Sequence, residues 1–296
     1  MFKSGFITII GRPNVGKSTL LNQVVGQKIS AISNKPQTTR NKITFIYTEE
    51  DFQAVFLDTP GIQSPKNKLG DYMLKTSEST LNEVDVITYI VDCSTTIGKL
   101  DSYIIKTLKE INIKTPIVLL INKIDEIQKG NLFELIEMYS NLNLFKEIIP
   151  ISALKNDGVK DYIEVLRKYL PEGPQYYPED LVTDQPEKFI VAELIREKAL
   201  RNLSEEVPHG IAVSIEKMKY RENKEICDIE ANIYIERESH KKIVIGKNGD
   251  MIKKIGTQAR IEIENLLDYR VNLKLWVKVE KNWREKEIKL KNFGYQ

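Results

Sequence analysis

The chain has 296 residues, more than one typical domain, so two compact units with separate cores are expected. With 41% hydrophobic and 29% charged residues it has the balance of a folded globular protein, which excludes a disordered chain, and its longest apolar runs are strand-sized, too short to cross a bilayer. The net charge of +2 alone says nothing about a polyanionic partner, and Cys93 and Cys227 lie in separate halves without metal-ligand spacing, as suits a reducing compartment without disulfides.

The N-terminal MFKSGFITII reads as a first strand rather than a cleavable signal, because it runs directly into a phosphate-binding pattern. That pattern, Gly11-Arg-Pro-Asn-Val-Gly16-Lys17-Ser18, matches G-x-x-x-x-G-K-[ST] and is followed by the predicted helix STLLNQVV. Glycines let successive backbone NH groups curl around phosphate, and a helix N-terminus favours the anion. Lys17 would reach the β- and γ-phosphates and Ser18 would give a hydroxyl oxygen to Mg2+. Gly11, Asn14, Val15, Gly16 and Thr19 complete the expected cradle.

The runs KITFIYT and FQAVFLD follow, separated by Glu49 to Asp51, and predict a hairpin inside a mostly parallel α/β sheet. The polar segment Gln37-Thr38-Thr39-Arg40 precedes them, where a γ-phosphate-sensing threonine would be needed; Thr39 is the first choice and Thr38 the second. Asp58-Thr59-Pro60-Gly61 closes FQAVFLD and would place a carboxylate near Mg2+ and the Gly61 NH near a γ-phosphate, although a bare Pro-Gly turn would look the same. Ser18, Thr39 and Asp58 are thus the candidate metal ligands, and Lys17, Thr39 and Gly61 the candidate catalytic residues. Ordering of two such loops by the γ-phosphate, and their release after hydrolysis, would make a switch.

Downstream, VITYIVD, PIVLLIN and EIIPIS read as further strands. Asn122-Lys123-Ile124-Asp125, at the end of PIVLLIN, has the N-K-x-D spacing of guanine recognition. Asp125 can accept from the guanine N1-H and amino group, a donor pair that adenine lacks, at about 1.5-3 kcal/mol for each charged hydrogen bond. Lys123 would lie along the purine, Asn122 would tie the loop to the P-loop, and Ser152 and Ala153 could offer a backbone NH to the guanine O6.

Pro171, Pro174, Pro178 and Pro186 mark a linker, which divides the chain into residues 1-170, a linker 171-186 and a second domain 187-296. The second domain reads as a helix (EKFIVAELIREKALRNL), two strands (GIAVSIEKMKY and EICDIEANIYIER), two helices around a Gly-punctuated turn, and the strand VNLKLWVKV, an α+β arrangement. Between Arg237 and Arg260 seven basic residues stand against two acidic ones, a candidate phosphate-facing surface, although a solvated helix face has the same pattern.

The set GRPNVGKS, QTTR, DTPG, NKID and SAL resembles the translation-factor-related GTPases, and within them the Era family. VIGKNG, the basic helix after it and LKLWVKV resemble the G-x-x-G segment and last strand of a type II KH domain. The resemblance covers nearly the whole chain. It implies a Ras-like GTPase domain followed by a KH domain, GTP and GDP as ligands, Mg2+ as cofactor, and the 3' end of 16S-type rRNA with the small ribosomal subunit as partner during subunit assembly. A cytoplasmic monomer is expected. Related proteins can also associate peripherally with the inner membrane face, but no amphipathic helix with an aromatic apolar face stands out here. In the KH pattern Gly246-Lys247-Asn248-Gly249 would clamp about four nucleotides, with Lys242, Ile245, Lys253 and Lys254 beside it.

Departures from the pattern matter too. Ile62 follows DTPG where Ras-like enzymes place a water-orienting glutamine, so slow intrinsic hydrolysis is expected, and Gln63, one position late, is not given that role. By resemblance Asn14 could hold a potassium ion against the phosphates, or simply brace the loop. Leu154 replaces the more usual lysine of the SAK segment. A GTPase whose second domain binds protein, and an RNA-binding module with structural GTP, are the competing expectations. If the G-x-x-G loop does not bind RNA, the helix with Arg196, Lys198 and Arg201 is the fallback surface.

Overall fold

The computed structural model describes residues 1-33, 35, 37-62, 65-110, 115-222 and 224-295. The chain divides into two compact units, one of Met1–Gln27, Thr39–Ser64 and Met73–Asp184, the other of Lys28–Thr38, Pro65–Tyr72 and Gln185–Gln296.

The first unit is built on strands β1 (Lys3–Ile10), β2 (Ile43–Glu49), β3 (Phe52–Asp58), β4 (Val86–Val91), β5 (Ile117–Asn122) and β6 (Glu147–Ile151). They form one sheet in the order β2-β3-β1-β4-β5-β6, parallel throughout except for the antiparallel β2-β3 hairpin. Every residue of β3, β4 and β5 is buried, as expected of strands covered on both faces, which therefore read as unbroken apolar runs rather than alternating ones. The helices are α1 (Lys17–Val25), α2 (Lys68–Ser79), whose residues up to Tyr72 count with the second unit, α3 (Lys99–Glu110), α4 (Lys129–Ser140) and α5 (Val159–Tyr169). Ile104 and Leu108 of α3 and Leu135 and Tyr139 of α4 pack on Ile87, Tyr89, Leu119 and Ile121 of the sheet. Strand order reverses between β3 and β4 across β1, so the crevice beyond the C-terminal end of β1 is where a ligand of such a sheet is held.

Residues 171-184 are tied to this sheet despite their prolines. Gln53 donates to the Tyr177 carbonyl and accepts from the Tyr176 and Tyr177 NH groups, and Thr183 Oγ1 donates to the Thr44 carbonyl at 2.6 Å. Proline removes donors that a regular strand would need, and the Gln53 side chain of β3 and the Thr183 hydroxyl on the β2 backbone hold the segment instead.

The second unit contains α6 (Glu187–Asn202), β7 (Ala212–Tyr220), β8 (Ile226–Ile235), α7 (Glu238–Ile245), α8 (Asp250–Leu267), β9 (Arg270–Val279) and the short α9 (Glu287–Asn292). Its sheet runs β7-β8-β9, antiparallel at the hairpin and parallel between β8 and β9. Alternate residues of β8, including Ile229, Ala231 and Ile233, meet Leu194 and Ile195 of α6 and Ile255, Ala259 and Ile263 of α8. Helix α9 and the aromatic contacts around Trp283, Phe293 and Tyr295 were not anticipated from the sequence.

The segments Lys28–Thr38 and Pro65–Tyr72 belong to this unit through charge and ring contacts. Glu197, buried on α6, receives Lys28 and the Ile32 NH at 2.8 Å each; Lys28 and Lys198 both pair with Glu262 of α8, and Arg196 donates to Glu193 and to the Thr38 carbonyl. Lys68 pairs with Glu287 at 2.8 Å and Tyr72 lies against Tyr295.

Candidate nucleotide and nucleic-acid sites

The P-loop leaves β1 at Ile10 and enters α1 at Lys17. Gly16 sits at φ 104° directly against Asn122 Nδ2, so a side chain there would be both strained and in collision; Gly11 likewise abuts the Ile90 carbonyl. Asn14 also has a left-handed φ of 67°. These turns aim the loop around the N-terminus of α1, the standard geometry for an anion. Lys17 Nζ is 2.9 Å from the Arg12 carbonyl and 3.3 Å from that of Gly11, so the ammonium lies along the loop that would surround phosphate. Only 6% exposed, Lys17 is pushed down to about 8 by its burial, against the pull of the Asp58 carboxylate.

Ser18 Oγ donates to Asp58 Oδ2 at 2.9 Å and lies 2.9 Å from Thr39 Oγ1. One carboxylate and two hydroxyls converge here, an oxygen-only donor set that fits Mg2+. The neighbouring threonine is turned away: Thr38 Oγ1 donates to the Lys35 and Ser33 carbonyls of its own loop. The geometry separates the two candidates in favour of Thr39. Gly61 lies against the P-loop, where an added Cβ would stand 2.9 Å from the Pro13 nitrogen, and the Ile62 NH donates to the Gly11 carbonyl. Buried Ile62 packs into the apolar core, and Gln63 lies outside the described residues.

Asn122 binds two loops at once. Its Nδ2 donates to the Val15 carbonyl at 2.7 Å, and its Oδ1 accepts from the Ala153 NH at 2.9 Å. Lys123 takes a left-handed φ of 70° just beyond β5, Asp125 is exposed, and Ser152 Oγ donates to Asp125 Oδ1. Thus the N-K-x-D and Ser-Ala segments form one rim joined to the P-loop. Thr19 follows Ser18 in the first turn of α1, and Leu154 points to solvent.

One part of this site had no local signal. Arg12 pairs with Asp92 at 2.7 Å and, through Nε at 2.8 Å, with buried Asp101, which accepts from Tyr89. These contacts fix the P-loop to the ends of β4 and α3. Position 12 is a variable x in the motif and Asp101 lies 89 residues away, so spacing could not link them.

In the second unit, α7 and α8 are joined by Gly246-Lys247-Asn248-Gly249. Gly246 has φ 78° with the Met251 backbone 2.7 Å from where a Cβ would be, and Gly249 caps α8 at φ 83° in open space. Lys242, Lys247, Asn248, Lys253 and Lys254 are exposed around it, and Ile245 is half-buried. Beside the loop, Ile252, Lys253, Gly256, Thr257, Arg260, Leu273 and Leu275 line a groove of about 280 Å³ between α8 and β9. The sequence did not single out this apolar floor, because its two walls come from separate elements. The fallback surface is withdrawn: Arg196 and Lys198 are buried and paired with Glu193, Glu197 and Glu262, and Arg201 donates to the Ile32 carbonyl.

Residues 6–123 match the model of the family described as 50S ribosome-binding GTPase, and residues 206–284 that of the KH domain. GTPase Era of Clostridioides difficile (strain 630) is 56% identical over 296 residues, covering 100% of this chain and 99% of the relative. GTPase Era of Clostridium kluyveri is 55% identical over the full length of both. The crystal structure of Era in complex with MgGDPNP and nucleotides 1506-1542 of 16S ribosomal RNA superposes with a TM-score of 0.94 at 40% identity, covering 100% of this chain and 99% of that one. An Aquifex aeolicus Era variant bound to GDP and AlF4− gives the same TM-score and identity over 99% of each chain.

Proposed function

The chain belongs to the Era family of GTPases and is a GTP-hydrolysing enzyme, and from that premise we propose that it is a nucleotide-controlled switch that binds the single-stranded 3' end of small-subunit ribosomal RNA during subunit assembly. The observation that carries this is the presence, in one chain, of a P-loop joined to an N-K-x-D rim and of a glycine-capped, basic α7-α8 turn beside a groove lined by Leu273, Leu275, Lys253 and Arg260. The relative in complex with 16S ribosomal RNA supports the choice of RNA.

In this mechanism the P-loop NH groups and Lys17 hold the β- and γ-phosphates and Asp125 reads guanine, while the Ala153 NH, donated to Asn122 Oδ1, braces the rim. Mg2+, present in the relative's nucleotide complex, would be held by Ser18, Thr39 and Asp58 and would supply charge neutralisation to the phosphates. Thr39 and the Gly61 NH sense the γ-phosphate. Asn14, in its left-handed turn, is the P-loop residue through which potassium would approach the phosphates; faster hydrolysis in potassium than in sodium at equal ionic strength, erased in Asn14→Ala, is the expected outcome. RNA passes over the turn, where Gly249 leaves open space for its backbone and Gly246 lets the chain fold back tightly on Met251, with Lys247, Lys253 and Lys254 supplying charge.

The test replaces Gly246 and Gly249 by Asp. A tetranucleotide RNA should no longer bind, while GTP affinity and RNA-free phosphate release stay close to those of the parent. A folded double variant with parental tetranucleotide affinity would remove RNA from this site and favour a protein ligand instead.

A further inference from the structure

The sheet of the second unit has a second face, opposite α6 and α8. Strand β9 alternates along its length, with Val271, Leu273 and Leu275 packed on the core and Arg270, Lys274, Trp276 and Lys278 turned outward and exposed. Trp276 keeps 44% of its surface in solvent, whereas the other tryptophan, Trp283, is buried and donates to the Gly210 carbonyl. A single exposed aromatic is ordinary on a protein surface, so its neighbours decide what Trp276 can serve.

The surroundings of Trp276 say which ligand. Along β9 the outward side chains Lys274, Trp276 and Lys278 follow one another at about 6.6-6.8 Å steps. Across the sheet, Trp276 stands beside Asn232 and Lys274 beside Glu230, which in turn faces Lys217 of β7. In all, this face presents six Lys or Arg side chains and three carboxylates, so it alone carries more net positive charge than the +2 of the whole chain. Two of those carboxylates are already engaged, Asp228 by Arg221 and Asn272 and Glu216 by Ser214. Lysines are depleted from the centres of protein-protein interfaces, where their desolvation is costly, but an aromatic plane between lysines is the usual platform for an unpaired base and its phosphates. The C-terminal segment closes only one end of the face, where Phe293 meets Tyr234.

We propose that this outer face is a second binding site for single-stranded RNA, in which one base stacks on Trp276 and the adjoining phosphates meet Lys274 and Lys278. It lies on the opposite side of the sheet from the groove between α8 and β9, so a strand longer than the groove can hold would occupy both. The inference rests on the second unit being an RNA-binding unit.

The experiment uses the full chain with two probes, a tetranucleotide RNA that the G-x-x-G loop can clamp and an unstructured RNA of about 16 nucleotides. Trp276→Ala should weaken the longer RNA by about 5- to 100-fold and leave the tetranucleotide unchanged. Trp276→Phe should keep most of the affinity but lose the tryptophan quenching that the longer RNA causes in the parent. Replacing Lys274 and Lys278 together by Gln should lower the slope of log affinity against log salt by about 1.4 for the longer RNA. Parental affinity of Trp276→Ala for the longer RNA overturns the proposal, as does equal weakening of both RNAs, which would place the effect in the groove or the fold. Loss of a protein partner with RNA binding unchanged would give the face to protein and overturn it too. A parent chain that binds neither RNA defeats the RNA-binding reading itself, whereas one that binds the tetranucleotide but shows no added affinity for the longer RNA defeats only the second site.

Discussion

Two kinds of cation do different work in this molecule. Lys17, Arg196 and Lys198 are buried among fixed partners, whereas Lys253 and Lys254 stand in solvent on α8. A buried cation costs desolvation, so its partners are few, oriented and hard to replace, and the site it serves can be selective. Exposed cations keep their water and act on a polyanion mainly through counterion release, so each contributes little and all are weakened by salt.

The contrast is broken most severely at Glu197. Its side chain is fully buried and pairs with Lys28, Lys198 and Arg201, so Glu197→Ala strands buried charge and should destabilise the second unit by about 3-5 kcal/mol in denaturant unfolding. The exposed pair Lys68-Glu287 provides the control, since Lys68→Ala should leave the denaturant midpoint nearly unchanged. Next comes Lys17→Ala, which removes an oriented charge from the phosphates and should slow phosphate release by at least about 10²-10³-fold. Turnover at the parental rate would sink the P-loop assignment.

Asp125→Asn tests the base rim. GTP affinity should fall by about 10- to 100-fold and XTP should bind better than to the parent, because the amide can donate to the xanthine 2-oxo group. An unchanged preference in competition binding would take Asp125 out of the site.

A smaller effect follows from the lowered Lys17, near 8 against an ordinary 10.5. In the nucleotide-free protein the buried ammonium costs stability fully below about pH 8, and that cost is relieved as pH rises towards 10.5, because the unfolded chain there holds more protons. Bound phosphates favour the ammonium, so above about pH 8 nucleotide binding takes up a proton and affinity should fall by about tenfold per pH unit. Titrations of the parent and of Lys17→Met check this, with ionisation of guanine common to both. The smallest change is expected at the open site: Lys253→Gln should reduce the salt slope for tetranucleotide binding by about 0.7.

Much of this organisation can be read in contiguous residues. The hairpin β2-β3, the α/β alternation and the helix-turn-helix at Gly246 to Gly249 are written in local periodicity and in glycines that take left-handed backbone. The sequence ranks Thr39 ahead of Thr38, but two adjacent threonines have the same chemistry, and only where the folded loop points them decides between them. Arg196 and Lys198 misled for the opposite reason, because a charge pattern does not reveal whether its counterions lie in water or in the core.

The sequence by itself determined the phosphate loop and the G-x-x-G turn, because backbone NH groups and helix termini grip a phosphate only when they are neighbours in the chain. The tertiary structure alone decided which distant residues serve those segments. Arg12 meets Asp101, the groove takes one wall from α8 and the other from β9, and Lys28 reaches Glu262 across 234 positions. Such pairings are set by how strands order themselves and by which buried charges must find partners, and neither leaves a spacing in the chain.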